Sequence, residues 1–545
     1  MRLHCDRGYV ERQFGCCLPD RFLMAVRSFD NAKAVSPLIL EKGHRCYGLF
    51  VHVEKGNVEA AHLPDDITPV FYQPYYTFDA TERDTAFPSL EEAIAYVAGG
   101  ERSLEIDRRL PAGLALRLAE QFEVSHEPGL ALGTVTVSKV SKDDVLRRAD
   151  AHRAGCARSA AMLLQSSPHR RELLEYLDAR DDDRFALLDR LMAEERLSGI
   201  IASSVLNVQE IAGIPMWGKR RPLAVLYGMG EIWLIEAGIG AGKTYPDLAG
   251  ALADLLPSGR IGVEMDDLEA WIFLETGLDR REHLAADNLL RRWRDLGTLP
   301  DLAFYVITTR ASELALRRAL EFAKTSVAAD CVTEMDAYRV YLDTLRGFMA
   351  EHAPGLRVGR TLTNFHSGAR TIFPSNAAAY PLSPAVNTLK IDAGCLLLDP
   401  DGMLLGCSDI ARTLCFDEEG KALYRTFRDA IRSTVIPGCR EGVAGREIHE
   451  IAVYALQSAH LSPAANRLYP GLSSVQDYDR DTGHLLGRNN LSHLKFTRHE
   501  AGLLREGMIA CCEYQWPIAG HAIAYEDTCL VTPRGGINLT VDESP

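Results

Sequence analysis

Three things are scarce or missing along these 545 residues, and each closes off a class of protein. No uncharged apolar run reaches the roughly 18 residues that a membrane-spanning helix needs, which argues against a membrane protein. The N-terminal stretch Met1 to Arg7 is already charged and lacks the apolar core of a secretory signal. The 13 cysteines are odd in number, scattered and free of metal-type pairs, so they read as reduced thiols of a cytoplasmic chain rather than a disulfide framework. Positive charge is in deficit as well. A net charge of −15 and a pI near 5.6 disfavour nonspecific binding to nucleic acid or anionic membrane. The short basic patches at Lys219–Arg221 and Arg291–Arg294 read as solvated faces.

What the chain does carry is concentrated in its last third. Asp392, Asp409, His484, Glu513 and Glu526 follow one another there, each in a strand-like or glycine-flanked apolar setting. A carboxylate at the end of an apolar strand needs a charged partner, because burying an unpaired anion costs several kcal/mol. The first two can be placed by local geometry. The apolar stretches 395–398 and 403–405 flank Asp399-Pro400-Asp401-Gly402, a sequence suited to a type I turn. A hairpin centred between Pro400 and Asp401 sets Asp392 directly opposite Asp409, with Cβ atoms about 5 Å apart; a bulge at Gly402 would make the pair diagonal. Two anions that close need a cation or a shared proton.

These residues, taken as Ile391–Gly394, Ser408–Thr413, Thr482–His484, Glu506–Met508 with Glu513, and Glu526–Val531, resemble the motifs of the creatinase/aminopeptidase P/methionine aminopeptidase family of pita-bread metallohydrolases. The resemblance is strong over residues 330 to 540. It implies that Asp409 and Glu526 bridge two divalent metal ions, that Asp392 chelates one, and that His484 and Glu513 complete the other. Such a pair lowers the pKa of a shared water toward neutrality and supplies the nucleophile. Carboxylate-rich ligation with one imidazole suits Mn first, with Zn, Co or Fe as alternatives. Asp527, on the other side of its strand, is expected to support the ligands rather than join them, and Arg412 to pair with a carboxylate near the metals.

The chain also departs from the family pattern. The two aspartates stand 17 residues apart, longer than the family spacing by an even number, which keeps them on one face. Ser375 stands where most members carry a histidine that handles the leaving group, within a stretch from Phe365 to Asn376 that looks creatinase-like. His366 and Tyr380 are nearby but do not match that position. The second family histidine, which steadies the substrate carbonyl or the anionic intermediate, corresponds to His493, with His499 as its competitor. For His366, His449, His499 and His521 the plainer reading is a structural histidine. Cys511 and Cys512 read as strand core, since one of two adjacent strand residues faces inward.

Upstream, the Gly-rich stretch Ala237–Thr244 satisfies a permissive phosphate-loop pattern but lies in a region that resembles the family's noncatalytic N-terminal domain. Two internal echoes, 145–152 with 315–322 and 47–59 with 223–234, point to a repeated strand–helix or strand–turn–strand unit. Residues 188–207 resemble the creatinase N-terminal domain closely. Helix–strand alternation gives an α/β reading to both copies. The expected layout is that of the three-domain aminopeptidase P branch: creatinase N-terminal-like α/β domains at 1–165 and 166–325, then an α+β pita-bread catalytic domain at 326–545. Apolar stripes at Leu423, Phe427 and Ile431, and at Ile448, Ile451, Ala452 and Ala455, predict two amphipathic helices between Asp409 and His484.

The resulting expectation is a dinuclear, metal-dependent hydrolase that cleaves a C–N bond in a small molecule or short peptide, Xaa-Pro aminopeptidase-like and homodimeric. The alternatives are a creatinase-like hydrolase or lyase of a non-peptide amino-acid derivative, and a pseudoenzyme that binds a protein partner.

Overall fold

The computed structural model describes residues 1–5, 38–60, 63–73, 86–126, 133–179, 184–215, 222–228, 230–296, 301–327, 332–359, 363–372, 377–382, 388–458, 481–488, 494–518 and 520–541. They form two compact units. One takes Met1–Tyr75, Asp84–Asp150 and Asp182–Arg294; the other includes Ala151–Asp181 and Asp295–Pro545. Among the described residues no helix is long and apolar enough to cross a membrane.

The first unit contains two seven-stranded sheets. In one, the strands Arg45–Val51, Leu38–Lys42, Arg2–His4, Ser103–Ile106 and Glu123–His126 lie side by side. Their successive pairings are antiparallel, antiparallel, parallel and parallel. In the other, Glu231–Ala237, Ala224–Gly228, Gly199–Ala202, Ile261–Val263 and His283–Ala285 repeat the same four pairings in the same order. Helix capping repeats too. Ser89 caps Leu90–Ala98 and Ser204 caps Val205–Ala212 through the same side-chain acceptor, and each helix closes on a left-handed glycine, Gly99 or Gly213. The sheets differ at the next strand, where Ile67–Tyr72 joins parallel and Val135–Val140 antiparallel.

The repetition therefore lies in the strand pairing, and the two sequence echoes locate it only in part. Residues 224–237 form the expected hairpin, whereas 52–60 turn into helix after the Arg45–Val51 strand. The helix expected from Ala315 begins earlier, so that Val306–Arg310 also lies inside the helix Leu302–Ser326. The β-branched residues of that segment are buried on all sides, and burial of that kind does not distinguish strand from helix. The phosphate-loop pattern resolves as sheet: Lys243 and Thr244 belong to the strand Lys243–Tyr245, and the next helix starts only after its cap at Asp247. Among the described residues no helix N-terminus meets the glycines, as the cradling of a phosphate requires.

In the second unit the helices Leu302–Ser326 and Glu334–His352 pack together and against the strands that carry the aspartates. Thr363–Ser367, Thr388–Ala393 and Ile410–Cys415 form one antiparallel sheet. Gly483–Leu485, Ile509–Ile518, His521–Leu530 and Ile537–Asn538 form another. The Thr413 hydroxyl ties the two together, donating to the Ala524 carbonyl and accepting from the Ala524 amide, both at 2.9 Å. Behind the four-stranded sheet, the amphipathic helices Glu418–Ala430 and Gly445–Ser458 deliver Leu423, Phe427, Ile448 and Ala452 into one apolar core. At about 25 cal/mol per Å² of apolar surface removed from water, this core holds the sheet's back face rigid while its front face stays polar.

Candidate metal centre

The hairpin that presents the two aspartates is irregular. Asp399 faces Met403, its amide donating to the Met403 carbonyl at 2.9 Å, and a bulge at Leu405 lets Leu397 face Gly406 while Leu398 faces Leu404. Each irregularity slips the register by one residue. Asp392 therefore lies opposite Ala411 rather than Asp409, which corrects the direct pairing expected from a turn centred at Pro400. A slip of two preserves side-chain parity, so Asp409 still shares a face with Asp392, diagonally. Gly394 makes the bend possible: a Cβ there would sit 1.6 Å from the Ser408 carbonyl oxygen. On the neighbouring strand Asn364 stands opposite Asp392 and its amide donates to the Asp392 carboxylate at 2.8 Å.

The remaining groups arrive on the four-stranded sheet. Glu526 lies directly opposite Glu513, and His484 directly opposite Cys511. His484 follows Gly483, whose φ of 142° and close approach to the Cys511 carbonyl, 2.1 Å from a notional Cβ, exclude any side chain. Nδ1–H of His484 donates to the Leu485 carbonyl at 2.8 Å, which leaves Nε2 as the free ligand atom. That nitrogen stands 3.8 Å from the Asp409 carboxylate and 3.9 Å from that of Glu526.

Four of the five expected ligands thus converge. Carboxylate oxygens of Asp392, Asp409 and Glu526 all fall within 4.8 Å of one another, and so do ligand atoms of His484, Cys511 and Glu526. Glu526 belongs to both groups. Glu513 flanks it across the strand pair, close enough that its charge acts on Glu526. His493 and Ser375 lie outside the described residues. Cys511, read from sequence as core, is in the cluster; its parity with Glu513 on the same strand is the signal that could have found it. His449 is structural as expected, buried with Nδ1 3.2 Å from the Phe496 carbonyl. His521 shares strand parity with Asp527 and so faces away from Glu526.

Electrostatics follow from the burial. Loss of solvent, reinforced by Asp409, Glu513 and Asp392, pushes the Glu526 carboxyl well above its usual range. Burial lowers His484, which favours the neutral imidazole a metal requires. On the opposite face of the strand, burial alone would raise Asp527, but Arg412 and Arg432 hold it below the ordinary carboxylate range, each 2.7 Å away. Arg412 also donates to the Glu526 carbonyl at 2.6 Å. It is thus the arginine expected near the ligands, and Asp527 is its carboxylate. Behind that face the thiols of Cys439, Cys512 and Cys529 gather within 4.8 Å in the apolar core.

The model of metallopeptidase family M24 matches residues 308–533. A search of curated proteins finds no match. Among solved structures, a prolidase from Pyrococcus horikoshii is similar over 67% of this chain and 99% of its own, with 17% identity and a TM-score of 0.51. An Xaa-Pro dipeptidase from Bacillus anthracis covers 66% of this chain and 99% of its own, at 16% identity and a TM-score of 0.52. The X-prolyl aminopeptidase of Caenorhabditis elegans, described as a cytosolic enzyme with a di-nuclear active site, spans 94% of this chain and 83% of its own, at 12% identity and a TM-score of 0.56. At such identities the structural likenesses speak to fold alone, and they agree with the family match in giving the catalytic region the pita-bread architecture. Residues 308–533 are thus matched by metallopeptidase family M24, and that match, with the shared fold, indicates a metal-dependent hydrolase.

Proposed function

We propose that this chain is a dinuclear metallohydrolase that cleaves the C–N bond of a small, peptide-like substrate in the manner of an Xaa-Pro aminopeptidase. The observation that carries the reading is the pair of three-ligand groups sharing Glu526. Three carboxylates packed within 4.8 Å repel one another, and divalent cations remove that repulsion. The donor set fits two such ions: Asp392, Asp409 and Glu526 would hold one, and His484, Glu526 and the flanking Glu513 the other. When bound, the ions lower the pKa of a water toward neutrality and polarise the scissile carbonyl.

The chain's own residues orient this chemistry. Leu485 fixes the His484 ring through its carbonyl, Asn364 steadies the Asp392 carboxylate, and Arg412 pins the backbone of Glu526. His493, by its place in the motif, would donate to the oxygen that gains negative charge. Carboxylate dominance favours Mn among the candidate metals.

The test is metal analysis followed by turnover with Mn added, setting Xaa-Pro dipeptides against amidino and N-methylated amino acids. Two ions per chain and hydrolysis of the Xaa-Pro dipeptides are expected. Turnover confined to the amidino or N-methylated compounds would instead make the chain a creatinase-like hydrolase, the reading Ser375 favours. No bound metal and no metal-dependent stabilisation would leave a binding module.

A further inference from the structure

We propose that Cys511 is itself a metal ligand, giving one of the two ions a thiolate in a centre otherwise built from oxygen and nitrogen donors. The inference rests on the dinuclear reading above and deepens it. Cys511 lies opposite His484 in one strand pairing and opposite Thr528 in the other, so its side chain projects to the same face as His484, Glu513 and Glu526. Its sulfur, a nitrogen of His484 and a carboxylate oxygen of Glu526 all fall within 4.8 Å of one another. Donors bonded to one tetrahedral ion at about 2.0–2.3 Å stand roughly 3.3–3.8 Å apart, so this triangle closes on a cation with a contraction of at most about 1–1.5 Å.

The thiol is fully buried, and its other contacts are long: 3.8 Å to the Asp409 carbonyl and 3.7 Å to the Thr528 hydroxyl. These are weak thiol contacts, and the same sulfur stands within 4.8 Å of two groups that can bind a metal. Ligation exchanges the S–H bond for an S–metal bond and releases the proton to solvent, with no change of oxidation state. A thiolate biases the ion it holds toward Zn, Co or Fe and away from Mn, so the two positions would differ in metal preference.

Replacing the native metal by Co(II) reads the sulfur directly. Bound Co(II) gives visible ligand-field bands, and a thiolate ligand adds a near-ultraviolet charge-transfer band. The expected result is both signals in the wild-type chain, loss of the charge-transfer band alone in Cys511→Ser and Cys511→Thr, and its retention in Cys512→Ser, which disrupts the separate thiol cluster behind the sheet. Given equal Mn and Zn, Cys511→Ser should retain several-fold less Zn. Bound Co(II) without a charge-transfer band in the wild type, or a band that survives both Cys511 substitutions, overturns the ligand assignment and leaves the dinuclear centre standing. Failure to bind Co(II) at all overturns both, and metal content tells the two failures apart.

Discussion

Glu526 and Asp527 point to opposite faces of one strand, and each anion is balanced differently, one by the proposed metals and the other by Arg412 and Arg432. Removing one partner from a buried pair is costly because the other charge stays buried. Arg412→Met should therefore destabilise the chain by about 3 kcal/mol in urea unfolding, and Arg412→Met with Asp527→Leu should recover most of the loss. A second buried carboxylate sets a pH dependence in the first unit. Burial, with Asp266 beside it, raises Asp287 to about 6, although the Met265 and Asp266 amides donate to it. The folded chain holds this proton where the unfolded chain gives it up near its ordinary 3.8. Stability from this group is thus complete below about pH 4 and declines as the pH rises to about 6. Urea midpoints followed by tryptophan fluorescence should fall across that window, and Asp287→Asn, which keeps an acceptor oxygen, should flatten the slope.

The hairpin carrying Asp392 and Asp409 shows how element geometry decides what a ligand residue can do. The Leu405 bulge supplies one of two single-residue slips, and parity survives because there are two. Deleting Leu405 removes only the extra residue and leaves the pairs beyond it, Asp392 opposite Ala411 included, so Asp409 keeps its face. Metal content of the deletion variant should therefore stay at the wild-type level, and a fall below one ion per chain with an unchanged far-ultraviolet circular dichroism spectrum would contradict this pairing. The elements also mark what could be read in advance. The clustered carboxylates were legible because carboxylates at the ends of apolar strands are conspicuous, and the two core helices because their stripes are long. The register was not, since Leu405 looks like any other leucine in a Leu-rich strand. Cys511 was missed because alternation says that one of two neighbours faces inward, and here both faces of the sheet are buried, one against the core and the other against the ligands.

At the scale of the molecule, an acidic chain gathers several of its carboxylates around one point, and metal occupancy should show in overall stability. Stripping the ions with a chelator should lower the thermal midpoint of the transition that involves the second unit. Restoring each to a hundredfold excess over its Kd should return about 2.7 kcal/mol per site. Calorimetry with and without chelator checks this, and an unchanged melting profile would contradict it. The repeated five-strand pairing of the first unit, by contrast, holds no ligand of the proposed centre and should melt independently of metal.

Glu526 is the hub of both ligand groups, yet it stands more than a hundred residues along the chain from Asp392. Loops of that length close only late in folding, after local helices and hairpins have formed. Divalent cations should therefore act as a latch on the finished domain and not as a seed for it: they would slow its unraveling, with little influence on how quickly a newly made polypeptide first finds its shape.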